Sequence, residues 1–178
     1  MDLEKLKNPF TLKWRVQSLS KDKTKAICVA YIDARQAQKR FDEVCTPDKW
    51  QNTYEPETGV ASIAILIGND WVWKSDVGSE SKVEKVKGKA SDAFKRAAVL
   101  WGVGRDIYEK GTKVIKANGS YPVTSKGQVL YTGDQLSNYL NGLNESQGLL
   151  LQLIKQEPEL SQKEEFKTLI NKLYELVK

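Results

Sequence analysis

The segment from Val60 to Val77 most constrains the fold of this chain. Val60 to Ile67 (VASIAILI) is an apolar run, and Trp71 to Val77 (WVWKSDV) alternates apolar with polar residues. Gly68-Asn69-Asp70 separates the two runs and is typical of a tight hairpin turn. Strands joined by so short a turn pair antiparallel. The sequence therefore predicts a mainly antiparallel sheet.

The patterns on both sides of this hairpin extend the prediction to an α+β domain. Two alternating runs, 12–17 and 25–31, precede a helix that Asp33 caps and that runs over residues 34–44, and a third strand follows. Apolar residues spaced by three and four predict a second helix from about Ser81 to Trp101. Its apolar face comprises Val83, Val86, Ala90, Phe94 (or Ala93), Ala97 and Trp101. The predicted core is an antiparallel sheet with packed helices in the order β-β-α-β-β-β-α, followed by a small helical C-terminal appendage.

Basic residues are concentrated in the first two thirds of the chain. Residues 1–116 hold 22 Lys and Arg against 16 Asp and Glu, whereas residues 117–178 hold 6 Lys against 7 acidic residues. All five arginines precede Lys116, and arginine suits bidentate contact with phosphate. A nucleic acid is therefore expected to bind region 1–116. Region 117–178 is expected to form a loop or hairpin and then helices, in up to three pieces at 135–140, 145–156 and 162–177.

The lack of histidine excludes histidine-based metal sites, Ser–His and Cys–His triads and histidine acid–base catalysis. Cys28 and Cys45 are too few for a zinc site, and we expect buried thiols in a reducing cytosol, with a disulfide as the alternative. The first ten residues lack the apolar run of a signal peptide, and no stretch approaches the ~20 apolar residues of a membrane helix. The sequence thus predicts a cytoplasmic protein with no membrane contact, no cofactor, no metal and no catalytic residues.

The second predicted helix is basic on the side that its apolar face leaves free. Its cations are Lys82, Lys85, Lys87, Lys89, Lys95 and Arg96. A solvated helix face is the ordinary structural explanation for such a run. Two details favour phosphate binding. Small residues beside Lys95 and Arg96 (Ala93, Ala97 and Ala98) would let a partner approach closely, and Gly102-Val103-Gly104 would allow a chain break that presents Arg105.

Aromatic residues accompany these charges, as they do in proteins that hold single strands in a basic groove with stacking platforms. They are Trp14, Trp50, Tyr54, Trp71, Trp73, Trp101 and Tyr108. Most of them are expected in the core, and one or two on bases.

The motif SDAFKRAA (91–98) followed by WGVGR (101–105) resembles the core motif of the Rad52/Rad22 family of single-strand annealing proteins, especially its phage and bacterial branch. Residues 13–16 (KWRV), 31–35 (YIDAR) and 48–51 (DKWQ) follow the order and spacing of the same family. The resemblance covers about residues 10–110. It implies an oligomeric ring that binds single-stranded DNA without sequence preference and anneals complementary strands in recombination and repair. Region 1–116 would then be the binding, annealing and oligomerisation core.

The resemblance also assigns roles to single residues. Lys95 and Arg96 match the Lys-Arg pair that lines the inner DNA groove of the family, and we expect Arg15, Arg35 and Arg105 to join them. Two positions depart from the family: eukaryotic members carry groove cations where this chain has Gln36 and Val99. Arg35 is next to the first of these positions, and Arg105 would compensate for the second. Lys82, Lys85, Lys87 and Lys89 occupy the region of an outer DNA contact.

Three other functions remain open at this stage. A protector of DNA ends or single strands would need the same groove without annealing. A metal-dependent nuclease would use the E-x-K of residues 80–82 with Asp70 and Asp76 upstream. An interaction module would use apolar positions of the C-terminal helices to recruit a partner, such as a replication or single-strand-binding protein.

Overall fold

The structure, a computed structural model, describes residues 1–79, 85–107, 111–156 and Thr168. These residues form a short 3₁₀ helix (Leu3–Lys7), seven strands and three α-helices. The strands are β1 (Lys13–Leu19), β2 (Lys25–Tyr31), β3 (Trp50–Glu55), β4 (Val60–Ile67), β5 (Asp70–Val77), β6 (Thr112–Asn118) and β7 (Tyr121–Pro122). The helices are α1 (Ala34–Cys45), α2 (Lys85–Leu100) and α3 (Gly133–Gln156).

The order from β1 to α2 is the predicted β-β-α-β-β-β-α, which confirms the α+β class. The strands divide between two antiparallel sheets, β3-β4-β5 and β1-β2-β6-β7. The chain divides correspondingly into two compact units. The first unit contains Met1–Phe10 and Ile32–Lys110, and the second contains Thr11–Tyr31 and Gly111–Lys178. Lys116 lies inside β6, and the division of function at this residue remains a prediction.

The first unit is built on the β4–β5 hairpin. Ile67 pairs with Asp70 across a two-residue turn, in which Gly68 has a φ of +65° that favours glycine. Ile63 and Ile65 of β4 are fully buried. Phe41 of α1 lies 5.1 Å from Trp50 of β3 and 6.4 Å from Phe94 of α2, measured between ring centroids, so aromatic rings join the sheet to both helices.

Helix α2 packs very closely on the end of β5. A methyl group on Gly78 would overlap the carbonyl oxygen of Lys89 and would lie 2.8 Å from the Ala93 nitrogen, so only glycine fits there. The Asp92 carboxylate accepts hydrogen bonds from the backbone N–H and the hydroxyl of Ser79, at 3.0 and 2.9 Å. The predicted apolar face is buried at Ala93, Phe94, Ala97 and Trp101 and half-buried at Ala90. Val83 and the side chain of Val86 lie outside the described residues.

Helix α3 covers β1, an edge strand of the second sheet. Ser137 accepts a hydrogen bond from the Trp14 N–H at 2.9 Å, and Asn141 donates to the Leu12 carbonyl at 2.8 Å and accepts from Trp14 Nε1 at 2.9 Å. These side chains satisfy backbone groups that an edge strand leaves unpaired. The helix runs unbroken through Gly142, so the separate pieces predicted at 135–140 and 145–156 are one helix. Apart from Thr168, the piece predicted at 162–177 lies outside the described residues.

Two local predictions are confirmed. Asp33 caps α1: its carboxylate accepts from the Gln36 N–H at 2.8 Å, and Gln36 Oε1 accepts from the Asp33 N–H at 3.0 Å. Cys28 and Cys45 are buried free thiols. Burial raises the pKa of Cys28 to about 11, so this side chain stays protonated at neutral pH.

Candidate nucleic-acid interface

The cations Lys95 and Arg96 lie in the last turns of α2. Lys95 is half-buried, and Arg96 is exposed. The neighbouring Ala93, Ala97 and Ala98 are fully buried inside the first unit. The expectation that these alanines let a partner approach is therefore wrong: they let α2 pack closely within its own unit. The Lys-Arg pair is consequently held on a helix that cannot easily shift.

Arg96 has a carboxylate beside it. Arg96 Nη2 lies 3.3 Å from Asp76 Oδ1 of β5, and the two side chains are 44% and 26% exposed. An ion pair this exposed contributes at most about 1 kcal/mol to stability. The same carboxylate oxygen accepts a hydrogen bond from the Val77 N–H at 2.7 Å, which keeps it in place. A phosphate that binds Arg96 must therefore compete with Asp76.

Arg105 lies at the carboxyl end of α2, where backbone carbonyls have no helical partners. Arg105 Nη2 donates to the Val99 carbonyl at 3.1 Å, and Lys74 Nζ donates to the Leu100 carbonyl at 2.9 Å. Cations here also interact favourably with the helix dipole. The glycine break is present, with φ of +96° at Gly102 and +71° at Gly104. It brings the Arg105 guanidinium back to the turn that contains Val99.

Of the four lysines assigned to an outer contact, Lys89 is the one whose side chain the structure describes. Lys85 and Lys87 are in the first turn of α2 with described backbone alone, and Lys82 lies outside the described residues. Lys89 is half-buried, and its aliphatic chain packs on Gly59, where a methyl group would overlap it. Lys89 therefore has a packing role in the turn before β4.

The remaining predicted groove residues, Arg35 and Arg15, are both exposed. Arg35 is in the first turn of α1, where a cation opposes the helix dipole and costs a few tenths of a kcal/mol. Its position therefore has no benefit for the stability of this helix. Arg15 is on β1 and so belongs to the second unit, whereas Arg35, Lys95, Arg96 and Arg105 belong to the first.

Arg40, which the sequence analysis did not single out, has a structural role. Its Nη1 donates to the Asn8 carbonyl at 2.6 Å, and its guanidinium lies 4.1 Å from the centroid of the Phe10 ring. It therefore fastens the N-terminal segment to α1. Arginine content alone could not separate this residue from the phosphate-binding candidates.

Two acidic residues of the nuclease alternative, Asp70 and Asp76, lie too far apart to share a metal ion. Asp70 and Asp76 stand at the two ends of β5, six residues and about 20 Å apart. Within the described part of the chain, no group of three or more Asp, Glu, Cys or His residues could hold a metal ion. The E-x-K itself, residues 80–82, lies outside that part.

The predicted aromatic residues divide between core and surface. Trp14 and Trp101 are buried, at 1% and 8% exposed, and Trp50, which stacks on Phe41, and Tyr54 are half-buried. Trp71 and Trp73 of β5 are 38% and 45% exposed, and Tyr108 lies outside the described residues.

Part of the sequence is similar to a family of DNA-repair proteins. Residues 1–58 match the sequence model of a family described as "Rad52/22 family double-strand break repair protein". This match covers about a third of the chain. No solved structure matches.

Two curated bacterial proteins extend the similarity. A protein named "Single-stranded DNA-binding protein DdrA" from Deinococcus deserti is 35% identical over 113 residues, and one of the same name from Deinococcus radiodurans is 34% identical over 113 residues. The alignments cover 60% of this chain and 56% and 54% of the two relatives, so the chain spans about half their length. The family match over residues 1–58 and the similarity to these two relatives confirm the resemblance predicted from the sequence.

In residues 1–79, 85–107 and 111–156, no helix has both the length and the apolar character that crossing a bilayer requires.

Proposed function

We propose that the protein binds single-stranded DNA in DNA repair or recombination and anneals complementary strands without catalysing a chemical step. The observation that carries this proposal is the side-by-side placement of Lys95 and Arg96 near the end of a firmly packed helix, in a chain whose relatives are named single-stranded DNA-binding proteins. Cations fixed in this way neutralise phosphates and leave the bases free to pair.

Arg105 supports the assignment of this end of α2 to DNA. Where eukaryotic family members have a groove cation, this chain has Val99, and the Arg105 guanidinium donates to the carbonyl of that same residue. Arg105 is exposed and uses one nitrogen for this bond, so other N–H donors remain for a phosphate. We propose that Lys95, Arg96 and Arg105 form one phosphate-binding set, with Arg35 as a further contact.

We further propose that the protein acts in the cytoplasm as a ring of identical subunits. Each subunit would contribute a short stretch of the DNA path, so that weak individual sites add up to strong binding. A segment for partner proteins would lie on the C-terminal helices. On α3, Leu149 is 62% exposed and is suited to such a contact. The other proposed contact positions include Leu153, Ile154, Leu169 and Leu173, whose side chains lie outside the described ones.

A protector that covers single strands or DNA ends without annealing them is the second candidate. The names of the two relatives state binding to single-stranded DNA and say nothing about annealing, which is compatible with a protector. Both candidates need the same phosphate contacts, so annealing itself must be measured.

The deciding experiment follows the annealing of two complementary oligonucleotides by energy transfer between dyes on their ends. The proposal predicts that the wild-type protein accelerates annealing many-fold without Mg²⁺ or nucleotide, and that Arg96→Ala largely abolishes the acceleration. Binding without acceleration would favour the protector. Shortening of labelled DNA when Mg²⁺ is added would contradict the non-enzymatic proposal.

A further inference from the structure

The sheet of the second unit has one face that is basic and lies opposite α3. Side chains alternate between the two faces of a sheet. Trp14, Cys28 and Ile115 face α3 and are buried, whereas Arg15, Lys25 and Lys116 are on the other face and are exposed. The four strands β1, β2, β6 and β7 contain no Asp or Glu. The exposed face therefore carries positive charge that no acidic residue of the sheet offsets.

Two of these cations are held together at a cost in folding free energy. Lys25 of β2 and Lys116 of β6 are directly opposite in the antiparallel register. Like charges at directly opposite positions repel and destabilise a sheet. Among the described residues, neither ammonium group forms an ion pair or a hydrogen bond. An anion bound between them would remove the repulsion.

The two lysines border an open groove of about 860 Å³. Among its other lining residues, Val114 lies on the same face as the lysines and is 45% exposed, which gives the groove an apolar wall. An apolar groove with two ammonium groups at its edge fits a ligand that combines a flat apolar part with a phosphate. A nucleotide within a single strand has this combination.

An exposed pair of aromatic rings lies on the same face. Tyr121 of β7 is directly opposite Asn118, which follows Lys116 by two residues on β6, so Tyr121 and Lys116 are diagonal neighbours about 7–8 Å apart. The Tyr131 ring meets the Tyr121 ring edge-on, with centroids 5.2 Å apart. The two tyrosines are 46% and 66% exposed, which leaves ring surface for a base.

We propose that Lys25, Lys116, Tyr121 and Tyr131 form a second contact for single-stranded DNA, called here the sheet-face site. The lysines bind consecutive phosphates, and the tyrosines stack on the base next to them. Arg15 lies on the same face, opposite Val29 of β2, and extends the phosphate path along the sheet by about 13 Å from Lys25. The site rests on the proposed function, because its ligand is the same DNA. It differs from the phosphate-binding set of Lys95, Arg96 and Arg105 in using bases as well as phosphates.

The test compares the double variants Lys25→Ala/Lys116→Ala and Tyr121→Ala/Tyr131→Ala with wild type, by fluorescence anisotropy on a 30-nucleotide single strand. Lys39→Ala/Lys126→Ala is the matched control, since it removes two exposed lysines from other surfaces. Each sheet-face variant should weaken binding about fivefold or more. The lysine variant should also lower the slope of log affinity against log salt by about 1.4, and the control should leave affinity within twofold.

The first of two further measurements uses wild type alone, so it does not depend on how the variants fold. Ultraviolet crosslinking of wild type to a strand containing 5-iodouracil should modify Tyr121 or Tyr131, as located by mass spectrometry. The lysine variant should melt at a higher temperature than wild type without DNA, because the like-charge pair is gone.

The outcomes separate this inference from the proposed function. Wild type that binds no single-stranded DNA would overturn the proposed function and the sheet-face site together. Wild type that binds, with unchanged affinity in both sheet-face variants and crosslinks elsewhere, would overturn the sheet-face site alone. Loss of binding to anionic vesicles by the lysine variant, with DNA binding intact, would assign the surface to membranes and also overturn it.

Discussion

At the scale of single residues, the structure divides the cations into those with structural contacts and those available to a ligand. Arg40 binds backbone carbonyls and the Phe10 ring, and Lys74 donates to the Leu100 carbonyl and lies 4.2 Å from the Trp101 ring centroid. Lys95 forms no ion pair with the described residues. Arg96 has the single exposed carboxylate of Asp76. Lys95 is therefore available to a phosphate, and a phosphate that binds Arg96 must displace the Asp76 carboxylate.

Removing the Asp76 carboxylate should strengthen DNA binding, whereas removing a cation should weaken it. Asp76→Asn removes the carboxylate that competes with phosphate for Arg96 and lessens repulsion of the DNA backbone. We expect it to raise single-strand affinity about three- to tenfold at low salt, with the gain shrinking as salt rises. The measurement is an anisotropy titration at two salt concentrations. Ser75→Ala, a change of similar size on the neighbouring residue, is the control. A weaker affinity for Asp76→Asn would instead show that Asp76 holds Arg96 in its binding position.

At the scale of elements, the close packing of α2 on β5 sets where the candidate site lies. Only a glycine at residue 78 allows the approach, and Asp92 anchors the connection through Ser79. In the second unit, α3 supplies polar side chains to the edge of β1 and buries Leu136 and Leu140. The first half of α3 is thus part of the core of the second unit, and a deletion of residues 134–178 would expose Trp14.

Two glycine substitutions test this packing in opposite directions. Gly78→Ala should destabilise the protein by about 2 kcal/mol or more, because the added methyl group meets backbone atoms of α2 that cannot move aside. Gly142→Ala should stabilise by about 0.5–1 kcal/mol, because this helical glycine has open space around it. Urea unfolding of both variants gives the two free-energy differences. Equal stability of the two would contradict the described packing.

Local sequence patterns predicted the individual strands and helices but not how the strands divide into two sheets. The hairpin at Gly68, the cap at Asp33 and the helix spacing around Phe94 depend on neighbouring residues, so the pattern predicted them. The division into two sheets depends on β6 pairing with β2, residues more than 80 positions apart, for example Lys116 with Lys25. No local period reports such a pairing. For the same reason the alignment of Lys25, Lys116 and Tyr121 on one face could not be seen in the sequence.

At the scale of the whole molecule, the proposed annealing function depends on assembly. The candidate groove residues of the first unit form a short site, and a short phosphate site binds weakly by itself. Assembly into a ring would place many such sites on one strand, which raises overall affinity without any new contact. Binding and assembly would then use different residues of the chain.

This separation predicts the behaviour of the assembled protein. Wild type and Arg96→Ala should both elute as large complexes of equal mass in size-exclusion chromatography with light scattering, while only wild type binds a 30-nucleotide strand tightly. Electron micrographs of both should show closed rings. A wild-type protein that is monomeric with and without DNA would contradict the proposed ring, and loss of assembly in Arg96→Ala would give that residue a structural role.

The salt dependence of single-strand binding tests most directly whether Lys95 and Arg96 of α2 hold the phosphates. Affinity is measured by anisotropy from 50 to 300 mM NaCl for wild type, for Lys95→Ala/Arg96→Ala and for the control Lys39→Ala/Lys126→Ala. Each lost phosphate contact lowers the slope of log affinity against log salt by about 0.7 on single strands. For Lys95→Ala/Arg96→Ala, called here the α2 variant, we predict a slope lower by about 1.4 and an affinity at least about tenfold weaker, with the control unchanged. Equal slopes and affinities for wild type and the α2 variant would show that α2 does not hold the phosphates.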